Sequence, residues 1–148
     1  MQVRDIMTEN PACCAPETSL EDVARIMADQ DCGEIPVLDE RGRPLGVVTD
    51  RDITVRAVAQ GRDPAATAAR DVMTGSVITT TPDASLEDAL AHMEESQVRR
   101  LPVVDEDGVV CGMVAQADIA RTAPAHETAE LVRDVSQPTL GRGTYAGA

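Results

Sequence analysis

Three small groups of residues in this sequence have types and spacings that could do chemistry. Thr49 and Asp52 stand three apart at the end of Gly46-Val47-Val48-Thr49-Asp50-Arg51-Asp52. Where an apolar strand gives way to a helix, a hydroxyl beside unpaired backbone N–H groups suits an anion oxygen such as that of phosphate. A carboxylate one turn further on accepts hydroxyl protons. The same Thr-x-x-Asp spacing is also a capping box, in which both side chains serve only the helix. Arg99 and Arg100 are adjacent guanidiniums in an acidic chain, and such planar forks recognise phosphate well. They would equally neutralise Glu94 and Glu95. Cys13 and Cys14, neighbours on a predicted strand, would point to opposite faces, one buried and one more accessible. That allows either two small apolar fillers or a thiol open to redox or intermolecular disulfide chemistry.

Other chemistry finds little footing. Cys32 and Cys111 complete the cysteines, and no C-x-x-C pair occurs among the four. His92 and His126 lie near neither a cysteine nor a paired carboxylate, so no zinc site is expected. No nucleophile–base grouping, G-x-S-x-G or P-loop is visible, which argues against an enzyme. The 148 residues carry 13 basic and 26 acidic side chains, a net charge of -13. That balance excludes nucleic acid and anionic membrane surfaces as expected partners. Tyr145 is the sole aromatic residue, so base-stacking platforms are excluded too. No apolar run approaches the roughly 20 residues of a membrane span, and Met1-Gln2-Val3-Arg4-Asp5 does not read as a signal peptide. A cytoplasmic protein is expected.

A repeat organises these residues. Shifting the chain by 66 positions aligns it with itself without gaps, with 19 of the 50 positions from Arg4 to Ile53 identical. Arg4-Asp5-Ile6-Met7-Thr8 falls on Arg70-Asp71-Val72-Met73-Thr74, and Ser19-Leu20-Glu21-Asp22 on Ser85-Leu86-Glu87-Asp88. The expected division is copy one over 1–60, a linker over 61–68, copy two over 69–123, and a C-terminal helix and flexible tail over 124–148. Each copy reads as strand, helix, strand, strand, helix, an α/β (α+β) arrangement. Ser19 and Ser85 are N-caps with a capping-box-like acid three residues on. Leu20, Val23, Ala24 and Met27, and again Leu86, Ala89, Leu90 and Met93, form one apolar helix face. Ile35–Leu38 and Leu45–Thr49 flank the turn Asp39-Glu40-Arg41-Gly42 as a hairpin. A second helix starts near Asp50 and runs through Ile53 and Ala57. Cys32 matches Val98, and Cys111 matches Leu45, which places both among core residues. One copy buries little apolar surface alone, so the two are expected to pack sheet to sheet as one pseudo-symmetric module.

The order D-[IV]-M-T, S-L-E-D, [IL]-P-V-x-D and G-x-V-x-x-x-D-I, met twice in register, resembles the CBS domain. The tandem resembles a CBS pair, or Bateman module, of the stand-alone bacterial hypoxic-response type. That resemblance implies a non-enzymatic regulatory module with no required cofactor. It would bind an adenosine-containing ligand such as AMP, ATP or S-adenosylmethionine between the copies and signal to a partner. It implies that Thr49 and Asp52 form a ribose-phosphate motif faced by Arg99 and Arg100 of the other copy, with adenine against Asn10, Pro11 and Ala12. The second, weaker cleft keeps Asp118 but has Ala115 in place of the hydroxyl, and Gly33 and Glu34 face it where the arginines would stand. An anionic phosphate would be repelled there.

Two other functions compete: a structural interaction module with empty clefts, and a redox-responsive protein acting through Cys13 or Cys14. A homodimer is expected, through the apolar stripe of the first helices together with Ile53 and Ile119.

Overall fold

The computed structural model describes residues 1–75 and 77–122; the tail expected over 124–148, with His126, lies outside them. The serine caps form as expected. Ser19 and Ser85, both extended, accept from the N–H groups of Asp22 at 3.2 Å and Asp88 at 3.0 Å. They open α1 (Leu20–Gln30) and α3 (Leu86–Ser96). Asp22 does not act as the box acid; its carboxylate takes Arg25 at 3.3 Å. Both helices stop where Asp31 and Gln97 turn left-handed, at φ 50 and 55. On the apolar face, Leu20, Val23 and Met27 are buried, whereas Ala24 is exposed and Ile26 packs at the margin.

The hairpins form in both copies. β2 (Glu34–Leu38) pairs antiparallel with β3 (Pro44–Thr49), and β4 (Arg100–Val104) with β5 (Val110–Ala115). The Asp39 carboxylate closes the first turn by accepting from Arg41 N–H at 2.8 Å and Arg43 N–H at 2.9 Å. The Arg43 N–H bond above all, helped by the Arg41 N–H and the two arginine charges, holds the Asp39 carboxyl below its ordinary pKa against the opposing effect of desolvation. The expected first strand of each copy is only a single parallel bridge, Cys14 to Val37 and Thr80 to Val103. Prolines explain the brevity: Pro11 and Pro16 flank the first bridge and Pro82 follows the second, and proline cannot donate to a ladder. The second helix also departs from expectation. It is α-helical only over α2 (Asp50–Ile53), and Thr54–Val58 widens into a π turn. Its counterpart is α4 (Gln116–Ala120).

The chain makes two compact units that cut across the sequence repeat. One contains Met1–Pro11 together with the chain from Ile78; the other is Ala12–Val77. In the first, β1 (Thr8–Glu9) adds to β5 in the order β1-β5-β4, with Thr8 opposite Met113 and Glu9 opposite Gly112. Val3 lies in that unit's core with Leu86, Ala89, Met93, Leu101, Val103, Val114 and Ile119. The second unit's core holds Cys14, Leu20, Val23, Met27, Ile35, Val37, Val48, Ala57, Ala69 and Val72. Each copy thus contributes its opening segment to the other copy's core. The expected linker is part of the second unit, where the Thr67 carbonyl accepts from Leu20 N–H at 2.9 Å.

Candidate functional site

Asp52 is the buried carboxylate of the Ala12–Val77 unit, 8% exposed. β3 ends at Thr49, which is extended, and the chain then turns into α2. The capping box is fully made: Thr49 Oγ1 accepts from Asp52 N–H, and Asp52 Oδ2 accepts from Thr49 N–H, each at 3.0 Å. This does not exhaust either group. A hydroxyl has one proton to donate besides its lone pairs, and a carboxylate has about four acceptor sites. Capping leaves the Thr49 O–H to reach an anion oxygen and leaves lone pairs on Asp52 for hydroxyl protons. The two readings of this tetrapeptide are therefore compatible.

The other oxygen, Asp52 Oδ1, lies 3.8 Å from Arg56 Nε. Arg56 went unnoticed in the sequence, although its position four residues after Asp52 is the spacing of a helical ion pair. Beside this site stand Gly33 and Glu34, where the chain enters β2. Glu34 is opposite Thr49 in register, and the Gly33 carbonyl accepts from Asp50 N–H at 3.0 Å.

In the other unit, Asp118 Oδ2 accepts from Ala115 N–H at 3.0 Å, so the half of the box that needs no hydroxyl survives. Asp118 Oδ1 is paired with Arg121. Here the neighbouring strand brings the arginines: Arg100 is opposite Ala115, and the Arg99 carbonyl accepts from Gln116 N–H at 2.8 Å. Thr49 and Asp52 thus share a unit with Gly33 and Glu34, and Asp118 and Ala115 share one with Arg99 and Arg100. Asn10 and Pro11 close the first stretch of one unit and Ala12 begins the other. Asn10 is left-handed at φ 50.

Gly46 and Gly112, read as part of the motif, have a packing reason of their own. A Cβ on Gly46 would come within 2.6 Å of the Thr74 carbonyl oxygen, and one on Gly112 within 2.7 Å of Met7 Sδ.

The cysteines split as the strand alternation implied, Cys14 buried and Cys13 half-buried. Desolvation, followed by the neighbouring Cys13, pushes the Cys14 thiol up to about 11. Burial raises Cys13 as well, which is the opposite of an activated thiol. Cys32 and Cys111 sit at the core margins rather than inside. Among the described residues no group of three or more His, Cys, Asp or Glu side chains could hold a metal ion. No helix among them is long and apolar enough to cross a membrane.

A doubled helix–hairpin–helix unit, with an aspartate capping the helix that follows each hairpin, defines a tandem-repeat architecture, and comparison with known proteins agrees. The CBS domain family model matches residues 3–58 and 69–125, and the chain belongs to the CBS domain family. It is similar to "Hypoxic response protein 1" of Mycobacterium tuberculosis, 36% identical over 91% of this chain and 94% of that one. A crystal structure of Hypoxic Response Protein I with two coordinated zinc ions matches with a TM-score of 0.77 at 35% identity, covering 84% of this chain and all of that one. The CBS domain pair of protein MJ0100, in complex with 5'-methylthioadenosine and S-adenosyl-L-methionine, matches with a TM-score of 0.73 at 29% identity over 82% of this chain and 98% of that one. CBSX2 in complex with AMP matches at 0.71 and 28%, over 82% and 95%.

Proposed function

We propose that this chain is a non-enzymatic regulatory module that binds an adenosine-containing ligand of the AMP or ATP kind and passes the event to a protein partner. The observation that carries this reading is the pair Thr49 and Asp52: a capped helix start whose hydroxyl proton and carboxylate lone pairs remain to be used. It is supported by related CBS pairs whose structures hold AMP, or 5'-methylthioadenosine and S-adenosyl-L-methionine. In this proposal Asp52 takes the ribose hydroxyls, Thr49 donates to phosphate, Arg99 and Arg100 of the other copy meet the phosphates, and Asn10, Pro11 and Ala12 line the adenine. The cleft of Asp118, Ala115, Gly33 and Glu34 is the weaker.

Calorimetry with AMP and ATP tests this. A charge-assisted hydrogen bond is worth about 1.5–3 kcal/mol, and about 1.4 kcal/mol is tenfold in affinity. Asp52→Ala and Arg100→Ala should each weaken binding at least about tenfold, while Asp118→Ala leaves it nearly intact. A second reading is favoured by the placement of Arg100 opposite Ala115 in one unit. There the arginines serve Asp118 instead. A loss on Asp118→Ala with Asp52→Ala silent would establish that reading. No heat at millimolar nucleotide would leave a structural interaction module.

The homodimer is also proposed, on a different face from the one first expected. Ile119 and most of the α1 and α3 stripes are buried inside the units, Ile53 is partly buried against its core, and Ala24 alone of the α1 stripe is exposed. Val55 and Val58, 40% and 59% exposed on the π turn, are the apolar residues left at the surface there. Light scattering should give twice the 15.7 kDa chain mass, and Val58→Asp should halve it. A monomeric parent protein would refute the dimer.

A further inference from the structure

Arg56 stands at the middle of the π turn Thr54–Val58 and is held on two sides. Its Nε faces Asp52 Oδ1 at 3.8 Å. Its Nη1 donates to the carbonyl oxygens of Val72 at 2.9 Å and Met73 at 3.3 Å. One residue further on, Thr74 exchanges both backbone hydrogen bonds with Val47 of β3, at 3.0 and 2.9 Å. Val77, shortly after, is the last residue of this unit before the chain enters the other. A guanidinium is a rigid planar fork, so whatever re-aims one edge of it re-aims the other. The second copy lacks this link: Thr122 stands at the matching position, its hydroxyl bonded to the carbonyls of Asp118 and Ile119, and Asp118 pairs with Arg121 instead.

We propose that Arg56 is a positioning residue that couples the Asp52 carboxylate to the segment Val72–Thr74, so that a ligand taken up by Asp52 is felt where the chain leaves this unit. The regulatory part of this rests on Asp52 being the ribose acceptor. A hydroxyl donated to Oδ1 competes with the guanidinium that faces that oxygen across 3.8 Å. The contact that Arg56 gives up or shifts there alters its hold on the two carbonyls. Such a difference in contacts between the two states is what lets a ligand bias a segment it does not touch.

The test is a double-mutant cycle read by amide hydrogen exchange in wild type, Asp52→Asn, Arg56→Met and the double variant. Asparagine keeps an oxygen to accept from Thr49 N–H, so the cap persists while the charge goes. In the presence of Arg56, Asp52→Asn should change exchange at the Met73 and Thr74 amides by at least about threefold, and in Arg56→Met it should change nothing there. Arg56→Lys keeps the charge without the fork and should behave like Arg56→Met at Thr74. The Cys14 amide, bonded to the Pro36 carbonyl, should be unmoved in all four proteins, reporting an intact unit. Additive effects at Met73 and Thr74 would overturn the coupling. The same proteins with AMP separate the two claims. If wild type binds AMP, Thr74 should respond, and in Arg56→Met AMP should bind without that response; a response that survives in Arg56→Met overturns the coupling. If wild type binds no AMP while the cycle remains non-additive, the nucleotide reading fails and the link between Asp52 and Val72–Thr74 stands.

Discussion

Thr49 and Asp52 make a cap whose residue types and spacing are also those of the proposed ligand site, which is why the residue types alone could not choose between the two. Spacing announces both. What the structure adds is the number of lone pairs and protons left after the cap is made, and that count needs the hydrogen bonds. Arg56 was missed for a related reason. Its partners Val72 and Met73 are far away in sequence, and only the pairing with Asp52 is local. Alternation correctly separates buried Cys14 from half-buried Cys13, whereas the repeat places Cys32 and Cys111 deeper than the core margins they occupy; the raised pKa of Cys13 and Cys14 comes from surroundings no local pattern reports. A thiol whose folded pKa is raised contributes stability that is complete below its unfolded value near 9.0 and is lost as pH rises through about 11. The melting temperature should therefore be insensitive to Cys14 at neutral pH and fall in that alkaline window, and Cys14→Val should flatten the fall. Equal alkaline slopes for the two proteins would contradict this.

At the scale of elements, periodicity served well wherever one face of an element is buried along its length. The serine-capped helices and both hairpins were legible for that reason. The bridges at Cys14 and Thr80 were overread as strands because β-branched and small residues there satisfy a strand pattern that flanking prolines cannot extend. The glycines teach the reverse lesson, since a motif glycine invites a ligand explanation while the space is taken by the protein's own chain. Gly46→Ala forces a methyl against a backbone oxygen at 2.6 Å, whereas Gly112→Ala presses first on the end of the flexible Met7 side chain at 2.7 Å. Overpacking typically costs about 1–3 kcal/mol. Urea unfolding should place Gly46→Ala at or above the upper part of that range and Gly112→Ala toward the lower. The opposite order would show that Thr74 yields more easily than Met7.

For the whole molecule, the duplication was plain in the sequence, but its exchange of opening segments was not. Nothing periodic marks which copy a short segment will join. Val3 falls on Ala69 in the repeat register, and a small apolar residue fits either core. The consequence for dissection is direct. A fragment spanning 12–77 has its whole core, including the fully buried Ala69 and the 1% exposed Val72, whereas 1–60 lacks both and leaves Val3 without its neighbours. Circular dichroism melts should be cooperative for 12–77 and broad or absent for 1–60. A cooperative 1–60 fragment would mean that the copies, not the crossed units, are the folding blocks.

The crossed arrangement also sets a timetable during synthesis. The Ala12–Val77 unit has all of its chain as soon as Val77 has been made and has cleared the ribosome. The first eleven residues, with Val3 destined for a fully buried place, must stay available until β5 and α4 have followed. At about 5–20 residues per second that wait lasts several seconds. It leaves the earliest part of the chain to be put to use last.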